Sequence, residues 1–136
     1  MPIELVVVTP EGQRYAGPVD EVVLPGSEGE FGVLESHEHF LSALGHGCME
    51  IRKGGASELS VVSDGFAEVG PERVVVMVES MLPADEIDVG AARAAEERAA
   101  DELAALDQDE AHAERRAELE DALARARAEL AVVERR

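Results

Sequence analysis

The sequence has one cysteine, one lysine and no tryptophan among its 136 residues. A lone thiol, Cys48, excludes an intrachain disulfide, and a chain without a disulfide framework suits the reducing interior of a cell. Long apolar runs are missing as well. No stretch approaches the about 20 residues that a membrane-spanning helix requires, so direct membrane insertion is not expected and contact with a membrane would pass through another protein. No charged segment followed by an apolar stretch opens the chain, which reads as not secreted. Basic residues are scarce: twelve face thirty acidic ones, for a net charge of −18. Residues 1–83 carry 14 acidic and 4 basic side chains, and residues 84–136 carry 16 and 8. Such a field repels nucleic acid and anionic lipid. A basic protein surface suits it as a partner, and a general acidity that keeps surfaces soluble accounts for it equally well.

Aromatics are few and segregated. Tyr15, Phe31, Phe40 and Phe66 all precede residue 84, whereas residues 84–136 hold seventeen alanines and a single glycine, Gly90. The composition therefore divides the chain into a sheet domain, 1–83, and a helical domain, 84–136. The sheet half can form a modest core. The helical half cannot do so alone, because alanine buries little area and short helices are marginal in water.

The sheet half is written in β-branched runs between turn signals. Residues 3–9, IELVVVT, are apolar on both faces, as in a strand covered on two sides. Pro10–Gly12 turns the chain, and 13–16 and 19–24 are the next extended segments. Residues 47–53 alternate, with Met49 and Ile51 on one side and Cys48, Glu50 and Arg52 on the other. Gly54-Gly55 leads into 57–62, Asp64-Gly65 is a two-residue turn of the kind antiparallel hairpins prefer, and 73–78 is the last strong strand. Successive short turns predict antiparallel pairing in a sandwich or barrel.

In the helical half, Asp88 is placed to cap a helix from Val89. Its apolar stripe is Ala91, Ala95, Ala99, Leu103 and Leu106. Asp107-Gln108-Asp109 interrupts, and Asp109 is placed to cap a second helix with the stripe Leu119, Leu123, Ala126, Leu130 and Val133. Arg93/Glu97, Arg98/Glu102, Arg116/Glu120 and Asp121/Arg125 have the spacing of helix-surface ion pairs. So short a connection implies an antiparallel hairpin, either a rigid structural element or an arm that can leave its docking surface.

Chemistry-bearing constellations are sparse. The segment PGSEGEFGVLESH (25–37) is glycine-rich, but it matches neither phosphate-loop pattern, lacks a lysine, and places Glu28 and Glu30 where they would repel phosphate. His37, His39 and His46 cluster in sequence, with Cys48 as a conceivable fourth zinc ligand. Loop-structuring histidines are the plainer reading, and His112 on a charged helix reads as solvated. Cys48 has no base beside it and reads as structural. No nucleophile stands beside a base, so no catalytic, cofactor or metal residues are assigned. Three functional classes follow: a docking or regulatory subunit, an acidic adaptor gripping a client helix with Leu119, Leu123, Leu130 and Val133, and a small metal-dependent enzyme using the three histidines.

Five segments decide among them by resemblance. TPEGQRYAG (9–17), LPGSEGEFGVLESHEHFLSAL (24–44), DGFAEV (64–69), RVVVMVES (73–80) and EIDVGAARAA (86–95) resemble, in order and spacing, the epsilon-subunit family of bacterial F-type ATP synthases, counterparts of the mitochondrial delta subunit. The resemblance implies a β-sandwich of about ten strands followed by an antiparallel helical hairpin. It further implies a non-catalytic central-stalk rotor subunit without cofactors, peripheral at the cytoplasmic face of the bacterial cell membrane. The partners implied are the gamma subunit, the ring of c subunits and, through the helices, the alpha and beta subunits. In many bacterial relatives the helices extend along gamma and inhibit ATP hydrolysis. Here that would bring Arg115, Arg116, Arg125 and Arg127 beside acidic surfaces.

By the same resemblance, Glu30 and His37 lie at the c-ring interface. This chain departs from the family beside them, reading Glu35-Ser36-His37-Glu38-His39 where Pro-Gly-His-Ala-Pro is usual. It departs again where some relatives bind ATP through Ile/Leu-Asp-x-x-Arg-Ala. Ile87-Asp88 is followed by Val89-Gly90-Ala91, and Arg93 lies about 200° further round the helix, which argues against nucleotide binding.

Overall fold

The computed structural model describes residues 2–34 and 38–136. Ten strands come first: β1 (Ile3–Thr9), β2 (Gly12–Val19), β3 (Glu21–Gly26), β4 (Gly29–Val33), β5 (Phe40–Leu44), β6 (Gly47–Lys53), β7 (Ala56–Val62), β8 (Gly65–Val69), β9 (Arg73–Val78) and β10 (Met81–Pro83). Two helices follow, α1 (Val89–Ala105) and α2 (Ala113–Arg135), each preceded by a short 3-10 turn. The strands hydrogen-bond in the order β10-β7-β6-β3-β5-β8-β9-β1-β2, with β4 paired to β3. The ladder folds over on itself as a β-sandwich, and the side chains of its inner faces form one core. Ile3, Leu5, Val7, Leu24, Met49, Ile51 and Val74 are among those fully enclosed there.

Two features of the topology differ from the reading of the turns. All pairs are antiparallel except β1 with β9, which run parallel with Leu5 opposite Val74 and Val7 opposite Val76. Asp64-Gly65 is not a hairpin turn. It carries the chain from β7, which pairs with β6 and β10, to β8, which pairs with β5 and β9. Glycine is needed at 65 for close approach: a Cβ there would lie 2.0 Å from the Met77 carbonyl oxygen. Gly54-Gly55 is the true hairpin turn, with φ of +58° and +81° at the two residues, the pattern that matches strand twist.

Asp88 caps α1, its side chain accepting from the Ala91 amide at 3.0 Å. Asp109 caps the 3-10 turn that leads into α2, accepting from the His112 amide at 3.1 Å. Arg116 Nη2 closes the interhelical turn by donating to the carbonyls of Asp107 and Asp109, each at 3.0 Å. The stripe expected on α1 is rotated slightly: Ala92 and Ala99 are buried, and Ala91 is exposed. On α2, Leu119 and Ala126 are buried as expected, and a second set, Ala128 and Val132, is buried too. That second set explains the docking. α2 packs against α1 on one side and against β6 and β7 on the other. Ala128 and Val132 share a small second core with Cys48, Val61, Ala84 and Ile87. Strand β6 is thus covered on both faces, by the main core at Met49 and Ile51 and by the arm at Cys48.

Candidate functional site

The glycine-rich segment after Pro25 is a hairpin rather than a loop. β3 and β4 pair from Val22 opposite Val33 to Gly26 opposite Gly29, so Ser27 and Glu28 form its tip. Gly26 is dictated by space, since a Cβ would meet the Gly29 carbonyl oxygen at 2.5 Å. Gly29 is dictated by its φ of +135°. The tip is tied to β5 on both sides: the Ser27 amide donates to Ala43 O at 3.0 Å and the Gly45 amide to Pro25 O at 2.9 Å. Phe31 and Phe40 pack edge to face beneath it, 5.8 Å between ring centres. A fixed hairpin at one end of the sandwich therefore presents the exposed carboxylates of Glu28 and Glu30. His37, expected beside Glu30, lies outside the described residues.

Glu30 has a contact that sequence could not supply. Arg135, near the end of α2, sits with Nη1 3.6 Å from the Glu30 carboxylate and donates from Nη2 to Glu50 at 3.2 Å. Glu50 is buried, and it also accepts from Arg52 Nε at 3.2 Å and from Ser57 Oγ at 2.9 Å. The hydrogen bonds from Arg52 and then Ser57 hold its carboxyl below the usual range against the opposing effect of burial. Arg52 also donates to Glu21 at 2.5 Å.

The four arginines expected to act from an extended arm are all engaged in the docked form. Arg115 bridges Glu102 of α1 at 2.7 Å and Glu118 at 3.2 Å. Arg127 lies 3.5 Å from Glu96 of α1. Arg116 closes the interhelical turn as described, and Arg125 Nη2 donates to Ser80 Oγ on the sandwich at 2.9 Å. Cross-helix and arm-to-sandwich contacts thus form in place of the expected pairs Arg93/Glu97, Arg98/Glu102, Arg116/Glu120 and Asp121/Arg125, none of which closes.

The histidine cluster suggested by sequence spacing does not assemble among the described residues. His39 and His46 flank opposite ends of β5; His39 faces Glu68 at 3.7 Å and His46 faces Asp121 at 2.7 Å. Cys48 lies in the second core, where burial pushes its thiol up despite the nearby Arg135 guanidinium. A protonated, enclosed thiol is a poor nucleophile.

One exposed apolar surface has no counterpart in the sequence motifs. Leu41, Phe66 and Met77 are 66%, 52% and 43% exposed and lie on the adjacent strands β5, β8 and β9, with Phe66 directly opposite Met77. They belong to the outward-facing positions of those strands, on the part of the sandwich the arm does not cover. The alternation of β8 and β9 carries the signal, because it turns Phe66 outward while Ala67 enters the core.

A sandwich with a carboxylate-tipped hairpin, a bare apolar stripe and a latched helical arm has the build of a docking subunit. The family model for the ATP synthase delta/epsilon chain β-sandwich domain matches residues 2–84. The ATP synthase epsilon chain of Nitratidesulfovibrio vulgaris is 44% identical over 125 residues, covering 92% of this chain and 93% of that one. That of Anaeromyxobacter dehalogenans is 40% identical, covering 92% and 96%. A chain in the Euglena gracilis mitochondrial ATP synthase structure, described as OSCP/F1/c-ring, superposes with a TM-score of 0.84 at 29% identity, covering 97% of this chain and 81% of that one. The chain belongs to the delta/epsilon family of ATP synthase subunits and is a non-catalytic, accessory member of it. The readings as an unrelated adaptor and as a metal-dependent enzyme are set aside.

Proposed function

We propose that this chain is the central-stalk rotor subunit that links gamma to the c-ring and so couples proton flow to rotation. The observation that carries the reading is the division of its surface. The arm covers β6 and β7, the apolar stripe of Leu41, Phe66 and Met77 stays bare for gamma, and the pinned hairpin offers Glu28 and Glu30 at a sandwich end for the polar loops of the ring. His37 is assigned to the same ring contact from the family pattern. The chain works as two units, the sandwich 1–83 and the arm 84–136. No helix of the described residues is long and apolar enough to cross a membrane. Attachment at the cytoplasmic face of the bacterial cell membrane is therefore assigned to the assembled complex.

The arm is regulatory in this reading. When it extends toward the alpha and beta subunits, Arg115, Arg116, Arg125 and Arg127 exchange their present partners for acidic surfaces. Only a ligand or partner that binds one state better than the other shifts such an equilibrium. ATP is not assigned that role, because Ala91 stands where the nucleotide-binding relatives have arginine. Reconstitution tests the function: synthase depleted of this subunit regains ATP-driven proton pumping when the chain is added back, and failure to restore pumping contradicts the reading.

A further inference from the structure

We propose that His46, Asp64 and Asp121 form a site for one divalent transition-metal ion, with zinc as the reference ion, and that an ion bound there clamps the helical arm to the sandwich. The three residues come from three places: the β5–β6 connection, the β7–β8 connection and α2. His46 Nε2 lies 2.7 Å from Asp121 Oδ1 and 3.7 Å from Asp64 Oδ1, and the three ligand atoms are all within 4.8 Å of one another. In a tetrahedral site with bonds of about 2.0–2.1 Å, neighbouring ligand atoms sit about 3.4 Å apart. The His46–Asp121 separation must open and the His46–Asp64 separation close, while Asp64 and Asp121, within 4.8 Å of each other, adjust with them through side-chain torsions.

Burial and charge both fit an ion. The His46 side chain is 11% exposed and fixed by its surroundings, whereas the side chains of Asp64 and Asp121 are 65% and 61% exposed. Solvent access leaves an entry path and room for water as a fourth ligand. Two carboxylates and a neutral imidazole balance a dication, and the net charge of −18 concentrates cations around the chain. A nitrogen in the donor set favours zinc-like ions over magnesium or calcium, which take oxygen ligands. Arg14 of β2 and Arg125 and Glu129 of α2 line the adjoining cavity with His46. Arg125 donates to Ser80 Oγ at 2.9 Å.

Ligation through Nε2 places the imidazole proton on Nδ1, which is buried without a partner. Ligating histidines normally donate that proton to a carboxylate or carbonyl, so affinity here is set in the micromolar rather than the nanomolar range. The other acidic-histidine group, Asp107, Asp109 and His112, is local to the interhelical turn, and capping already accounts for it. Because Asp121 alone of the proposed ligands rides on the arm, a bound ion stabilises the docked state by mass action.

Isothermal titration of the chelator-treated full chain with zinc near neutral pH tests the site. One saturable site is expected, weakened roughly tenfold or more in His46→Gln and in Asp121→Asn, and unchanged in His112→Gln. Circular dichroism checks that each variant is folded; Asp121 is exposed, so its variant keeps the test informative if His46→Gln does not fold. Amide exchange of α2 should slow with zinc in the unaltered chain and stay constant in Asp121→Asn. Binding that is absent, that is indifferent to both ligand variants, or that disappears in His112→Gln overturns the site. Bound zinc without added protection of α2 overturns the clamp.

Discussion

Arg135 Nη1 lies 3.6 Å from the Glu30 carboxylate, so the last turn of the arm touches the hairpin assigned to the c-ring. The same guanidinium reaches the buried Glu50 at 3.2 Å. The docked arm and the hairpin proposed to meet the ring therefore share a charge cluster.

Glu30→Lys sets two cations side by side. The exposed pair is worth at most about 1 kcal/mol, so the isolated chain stays folded while exchange at the end of α2 quickens modestly. In assembled complexes, ATP-driven proton pumping should fall. Unchanged pumping would make Glu30 an ordinary surface residue.

Glu50 gives the fold an acid limit. Its carboxyl titrates below the usual range in the folded chain because Arg52 and Ser57 hydrogen-bond its charged form. A folded value below the unfolded one means a contribution fully present above the unfolded value and lost as pH falls through the folded value. The urea midpoint of the chain should therefore drop as pH falls through and below the ordinary carboxylate range, and more steeply than in Glu50→Gln. Equal slopes in the two chains would remove Glu50 from the account.

Much of this was legible in the sequence. The strands at 3–9, 47–53 and 73–78 have the bounds expected of them, because each is a β-branched run between unambiguous turns. The caps at Asp88 and Asp109 form as their residue types require. β4, β5 and β10 were not legible from pattern. β4 carries glycines that depress strand propensity, and the packing of Phe31 on Phe40 overrides it. The crossover at Asp64-Gly65 has the local chemistry of a hairpin, and only its long-range partners show that it is none. Glu30 was singled out by family pattern, but its tie to Arg135 spans 105 positions and leaves no periodic trace. The docking face of α2 was hidden because Ala128 is a weak apolar signal beside leucine.

Cys48 reports on docking. Burial raises its thiol pKa and α2 covers it, so alkylation by iodoacetamide should be slow in the intact chain. Val132 is fully buried in the same small core. Val132→Asp would place an unpaired carboxylate there, disfavouring the docked state by about 1–3 kcal/mol. The alkylation rate should rise roughly tenfold, while far-ultraviolet circular dichroism keeps the sheet signal. An unchanged rate would mean that the arm does not shield this thiol.

Deleting the residues after Leu82 removes the arm and with it Arg115, Arg116, Arg125 and Arg127. Complexes carrying the shortened chain should hydrolyse ATP faster and remain coupled. Unchanged hydrolysis would assign the arm a structural role. Titration of the full chain with ATP should show no submillimolar affinity, since Ala91 offers no phosphate contact and Arg93 points elsewhere round α1.

The central claim is that this chain docks on a gamma subunit through the bare stripe of β5, β8 and β9. Sedimentation of the purified chain with gamma from the same source measures it directly. Phe66→Glu is the companion variant, because Phe66 is 52% exposed and its replacement leaves the core intact. The account predicts a one-to-one complex at micromolar concentration that Phe66→Glu weakens roughly tenfold or more, as expected for an aromatic anchor in an interface. No complex at those concentrations, or one indifferent to Phe66→Glu, would contradict it.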